Sequence, residues 1–197
     1  MAVAETLSFI GEFASDTLVD TEITNQGWTK KKGLTYWNTV HLGLRWWNGS
    51  AWKAYETNLM ARMYKAADQS LADSAWVVLT FDSSTYDTNS LIGTNQFVIP
   101  TGGDGVYLII CHHSFRQNAT GRRLGLIRKN GTASLVVHRT RAETSLPDIT
   151  EFSTMTTEKL VATDYIEGWS WQNSGGLLGT VGGNGSHWMS ITRVGDG

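Results

Sequence analysis

Phe97-Val98-Ile99-Pro100-Thr101-Gly102-Gly103-Asp104-Gly105-Val106-Tyr107-Leu108-Ile109-Ile110-Cys111-His112-His113-Ser114-Phe115 is the stretch from which the fold can be read. A short apolar segment halts at proline, which cannot donate to a ladder. Five residues with three glycines make a turn, and a long, nearly continuous apolar run follows. That run predicts a strand over Val106–Phe115, central in its sheet and buried on both faces.

Similar segments lie on either side. Trp76-Val77-Val78-Leu79-Thr80-Phe81-Asp82 predicts a strand, and Ser83 to Gly93 a polar loop. Downstream, Arg123–Arg128 and Leu135–Arg139 flank Lys129-Asn130-Gly131-Thr132; Asn-Gly suits a tight hairpin because both residues tolerate positive φ. Leu160–Trp171 predicts a strand of partly regular alternation, 175–185 is glycine-rich, and Trp188–Val194 closes the pattern. Residues 57–73 form a transition in which Met60, Met63, Tyr64 and Ala67 share one face of a short element. Several short strands spaced by turn signals indicate an all-β sandwich or barrel.

Upstream, Leu34–Trp37, Leu42–Trp47 and Ser50–Tyr55 predict a small aromatic β-meander, turning at Asn48-Gly49. Five of the nine tryptophans fall in the first 60 residues. So small a module is not expected to bury many rings alone, so some should pack on neighbouring chains. Leu7, Ile10, Phe13 and Ala14 fall at helical spacing, as Leu18 and Val19 do less cleanly, which suggests a short helix or an arm within residues 1–26.

The 197 residues are 41% apolar and 17% charged, with a net charge of −2. This describes a packed globular chain and points to neither a nucleic-acid nor a membrane partner. Cys111 is the single cysteine, so an internal disulfide and a cysteine-rich zinc site are both excluded. No basic start precedes an apolar run, and we expect synthesis in a cytoplasm. His112 and His113, adjacent in a strand, should point to opposite faces, and Cys111 reads as a small core residue. Asp82/Asp87 and Glu143/Asp148 lie in or near loops, and their separations are not readable from sequence. No metal-binding spacing is present, so no catalytic residue, metal or cofactor is assigned.

The stretch from about Ala61 to Val194 resembles the jelly-roll superfamily of tumour necrosis factor and the complement globular heads. The resemblance rests on Phe97-Val98-Ile99-Pro100, the glycine turn, Gly105-Val106-Tyr107, the Asn-Gly hairpin and the aromatic last strand. Leu160-Val161-Ala162-Thr163-Asp164-Tyr165 is similar to the penultimate strand, where a Gly-Asp pair is common; here Thr163 replaces the glycine. The resemblance implies a jelly-roll β-sandwich over 58–197 and a homotrimer. In it Tyr107, Ile109, Trp76, Phe97 and Trp188 would sit at the trimer interface, and loop carboxylates such as Asp82, Asp87 or Asp104 would be the candidates for calcium. Residues 1–57 would be a separate arm and meander. Tyr36-Trp37-Asn38-Thr39 and Leu44-Arg45-Trp46-Trp47-Asn48-Gly49-Ser50-Ala51-Trp52 resemble segments of bacteriophage virion proteins. That implies a non-enzymatic head fibre, tail fibre or capsid decoration protein, localised to the virion. Its partners would be other virion proteins, with Trp37, Trp46, Trp47 and Trp52 as the attachment residues. The alternative is an adhesin binding a host receptor or surface glycan.

Overall fold

The computed structural model describes residues 9–39, 43–47, 49–54, 59–143 and 149–195. The chain divides into two compact units, residues 1–57 and 58–197.

In the first unit, β1 (Phe9–Phe13) pairs in parallel with β2 (Thr35–Asn38). The antiparallel meander β2, β3 (Gly43–Trp47) and β4 (Trp52–Ala54) follows. Between β1 and β2 runs helix α1 (Asp16–Asn25), capped by the Ser15 hydroxyl, which accepts from the Leu18 N–H. Val19 and Ile23 on its inner face bury Leu34, Tyr36 and Trp52. The helical spacing of the N-terminal residues thus resolves into a strand followed by a helix. The expectation that the rings need a neighbouring chain is corrected for Tyr36 and Trp52, because this helix covers them. Asn48 and Tyr55 lie outside the described residues.

In the second unit two five-stranded sheets enclose one core. The first has the order β13-β10-β16-β5-β8: β13 is Thr150–Leu160, β10 Gly105–Phe115, β16 Trp188–Gly195, β5 Met60–Tyr64 and β8 Ser83–Asp87. In the second, β12 (Ala133–Arg141), β11 (Arg122–Lys129), β14 (Tyr165–Gln172) and β7 (Val77–Val78) lie in that order, with β9 (Phe97–Val98) also on β14. A two-stranded ladder joins β6 (Ser70–Leu71) to β15 (Leu178–Gly179). Met63, Phe97, Tyr107, Ile109, Ile127 and Ile166 meet in the shared core.

β10 is central, paired with β13 along its whole length and with β16 on its other edge. It is not buried on both faces, however. Tyr107, Ile109, Cys111 and His113 are fully buried, whereas Val106, Leu108, Ile110 and His112 are half-buried. Three other expectations change. The loop over 83–93 contains strand β8, the transition at 57–73 contains β5 and β6, and the strand expected over 76–82 is reduced to Val77–Val78.

The strand expected over 160–171 is interrupted at 161–164. There the Asp164 carboxylate accepts from the Val161 N–H and the Asp164 N–H donates to the Val161 carbonyl. Thr163 sits at φ 75°, a left-handed conformation that a β-branched residue adopts at a cost. The departure from Gly-Asp therefore falls where a glycine would be unstrained. Thr163→Gly should raise stability by about 1 kcal/mol, read as a higher urea midpoint at unchanged slope. A lower midpoint would show that the threonine side chain contributes more than its backbone strain costs. The Asn-Gly hairpin forms as expected, with Asn130 at φ 53° and Gly131 at φ 69° between β11 and β12.

Candidate functional site

Residues directly opposed in a ladder share a face, so the register of the first sheet defines what it presents away from the core. Leu108 lies between Thr157 and Thr192, Ile110 between Met155 and Ser190, and His112 between Ser153 and Trp188. Farther across, Trp188 opposes Tyr64, Ser190 opposes Arg62 and Thr192 opposes Met60. The centre of this face is apolar or hydroxyl-bearing. Lys159, opposite Val106, and Glu151, opposite Ser114, sit at its two ends. Met155 is 58% exposed.

Trp188 is the best-supported side chain here. The His112 ring stacks on it with centroids 5.5 Å apart, and the Arg62 guanidinium lies 4.4 Å from its ring centre. Arg62 also donates to the Asn184 carbonyl at 2.8 Å. His112 Nδ1 lies 3.0 Å from the Ser153 hydroxyl. Burial lowers its pKa; Glu151 opposes the shift and Arg62 adds to it. His112 is therefore a neutral ring at neutral pH, and the face keeps a low charge.

The five residues assigned to a trimer interface separate. Trp188 lies on this face. Tyr107, Ile109 and Phe97 are each fully buried in the protomer's own core, which corrects the expectation that they meet another copy. Trp76 is half-buried and immediately precedes β7, in the opposite sheet. Tyr107 donates its hydroxyl to the Gly103 carbonyl, and burial pushes its phenol up to about 12. Leu108, Ile110 and Met155 were missed as interface candidates. Their signal was present: a strand apolar at every position either is buried twice or offers one face to a partner.

Of the four tryptophans assigned to attachment, Trp52 is buried; its ring meets Tyr36 at 5.0 Å and its indole N–H donates to Asp20 at 2.7 Å. It belongs to the core of its own unit and offers no docking surface. Trp47 packs against it at 5.5 Å beneath the Lys30 ammonium, 4.0 Å from the Trp47 ring centre. Trp46 is half-buried, and Trp37 is 37% exposed.

The reactive side chains of this unit are otherwise engaged. Cys111 is fully buried and its thiol pKa is raised by burial, so it stays protonated. His113 faces the core, opposite in direction to His112. Asp82 accepts from the Ala66 N–H and pairs with Lys65 at 2.9 Å, Asp87 accepts from the Leu91 and Ile92 N–H groups, and Asp104 accepts from the Ala162 N–H. These loop carboxylates hold turns together, and among the described residues no cluster of three metal-ligating side chains forms. Asp148 lies outside the described residues.

No family model matches the sequence, and no curated protein matches it either. Solved structures do. Eiger TNF from S. frugiperda aligns over 72% of this chain and 96% of its own at 10% identity and TM-score 0.56. Murine APRIL aligns over 70% of this chain and 100% of its own at 11% identity and TM-score 0.54. The second unit is thus a β-sandwich similar in fold to tumour-necrosis-factor-like jelly rolls, a likeness of architecture at a tenth of the residues.

Proposed function

We propose that the chain is a non-enzymatic, trimeric structural protein of a bacteriophage particle, attached through residues 1–57 and displaying its jelly roll outward. The observation that carries the assembly reading is the outward face of the first sheet. Leu108, Ile110 and Met155 lie together at its centre, and the Arg62 guanidinium in the same row is held over the Trp188 ring and on the Asn184 carbonyl. A soluble domain that seals such a face against copies of itself removes apolar surface from water without stranding a charge. The superfamily that the jelly roll resembles assembles as trimers. The virion reading is supported by the aromatic segments of residues 36–52, and Trp37 is the ring they leave most available.

Light scattering at micromolar concentration should give three times 21.7 kDa. Ile110→Arg should weaken assembly by on the order of a hundredfold or more, because each protomer would bring an unpaired cation into a dry contact. Its far-UV dichroism should stay native, since residue 110 points away from the core. A wild-type monomer would sink the proposal, as would an Ile110→Arg trimer of unchanged stability. Labelled antibody on purified particles tests the virion role; a protein absent from the particle is not a virion component.

A further inference from the structure

The opposite sheet carries a second surface that assembly would leave uncovered. Along β11 the residues pointing away from the core are Arg122, Leu124, Leu126 and Arg128. Their ladder partners extend each row across the sheet: Arg141 beside Arg122, Trp171 and Arg139 flanking Leu124, Trp169 and Val137 flanking Leu126, and Glu167 beside Arg128. Four arginines thus share one sheet face with one carboxylate, in a chain whose net charge is −2.

Two features set this face apart from an ordinary solvated surface. Arg122 and Arg141 are directly opposed across the β11–β12 ladder, an arrangement of like charges that destabilises a sheet. Both are exposed, as is Arg139, and among the described residues none of the three has an acidic group within 4 Å. The second feature is the pair of indoles. Trp169 and Trp171 occupy successive outward positions on β14, about 7 Å apart by strand geometry, and the arginine strand β12 runs about 10 Å away. The Arg128 guanidinium stacks over Trp169 at 4.3 Å, and the Trp169 indole donates to Glu167 at 3.2 Å, so that ring is held in place.

We infer that this face binds an acidic polysaccharide, its sugar rings lying on Trp169 and Trp171 and its carboxylate or sulfate groups paired with Arg122, Arg139 and Arg141. The C–H faces of a sugar ring suit an indole as any flat apolar surface does, and guanidinium groups pair bidentately with carboxylate or sulfate. An anion between Arg122 and Arg141 would relieve their mutual repulsion. A single-stranded nucleic acid fits less well. It calls for a groove with a basic track along the whole backbone, whereas this face is a sheet surface with three of its four arginines at one end. This inference gives a substrate class to the adhesin alternative and does not depend on the trimer. The face lies within one protomer, on the sheet opposite the assembly face, so either conclusion can fail while the other stands.

The test is titration of the full chain with short oligogalacturonates, followed by tryptophan fluorescence. Saturable quenching is expected, weakening in 0.5 M salt through screening. Trp171→Ala and the double variant Arg139→Gln/Arg141→Gln should each lose about tenfold or more in affinity, corresponding to about 1.4 kcal/mol. The arginine variant changes only exposed side chains, so it reports binding even if the tryptophan variant folds poorly. Equal binding of neutral dextran oligomers would overturn the inference, as would tighter binding of an oligodeoxynucleotide, unchanged affinity in the arginine variant, or no saturable binding at all.

Discussion

Tyr107→Ala should destabilise the jelly roll by about 3–5 kcal/mol, enough to leave many single domains largely unfolded. The ring is fully buried among Phe97, Ile99 and Ile109, and its hydroxyl donates to the Gly103 carbonyl in the turn that feeds the same strand. Removing it empties a ring-sized volume that the flanking ladders cannot collapse to fill. Tyr107→Phe keeps the volume and loses one hydrogen bond, so it should cost about 0.5–1.5 kcal/mol. The loss should appear in protomer unfolding. Urea denaturation combined with scattering distinguishes this from an assembly defect: a folded, monomeric Tyr107→Ala would place the side chain at an interface after all.

Acid should destabilise the protein in two separate windows. His187 is fully buried; its ring stacks on Phe81 and neither ring nitrogen has a hydrogen-bond partner among the described residues. Burial, with smaller contributions from His112 and Lys65, lowers its pKa to about 4. His113 is lowered too, by burial first and then by His187, His112 and His138. Its Nδ1 lies 2.9 Å from the Ser170 hydroxyl, and its ring stacks on Phe152. Both rings are neutral when folded and titrate near 6.5 when unfolded, so below pH 6.5 the unfolded chain binds more protons. Stability therefore falls as pH drops from 6.5 towards 4, by about 3 kcal/mol for His187 alone. The carboxylates act lower. Asp68 and Asp82 are held below the usual range, chiefly by the Gly182 and Ala66 N–H groups respectively. Their contribution is present above about pH 3.8 and disappears as pH falls further. Unfolding free energies from pH 7.5 to 4 should show the first slope, and His187→Phe should flatten much of it. A profile level down to pH 4 would mean that these rings become protonated without disturbing the fold.

The architecture was legible where apolar residues were concentrated, and hidden where they were not. Val106–Phe115 announced a central strand, and Asn130-Gly131 announced its hairpin. β13 went unrecognised over Thr150–Lys159 because Thr, Ser, Glu and Lys dominate it, although threonine's stiff, branched side chain suits a strand. β8 was hidden in the same way by Ser83-Ser84-Thr85. At the candidate site the sequence is ambiguous for a different reason. An apolar strand does not reveal which of its alternating sets faces inward, so Tyr107 and Ile109 were placed outward although they fill the core. Nor does sequence show that Trp171, Arg139 and Arg141 share one face, since Trp171 and Arg139 come together only through their pairing with Leu124 on the strand between them.

The alternation along β10 has a consequence for how such a protein changes over generations. Codons 107, 109 and 111 answer to folding, while 106, 108 and 110, interleaved with them, would answer to the association proposed for the outward face. A lineage can therefore redefine its quaternary partners by editing every second codon of one strand while the sandwich persists. Selection on stability and selection on assembly then act on adjacent residues with little interference.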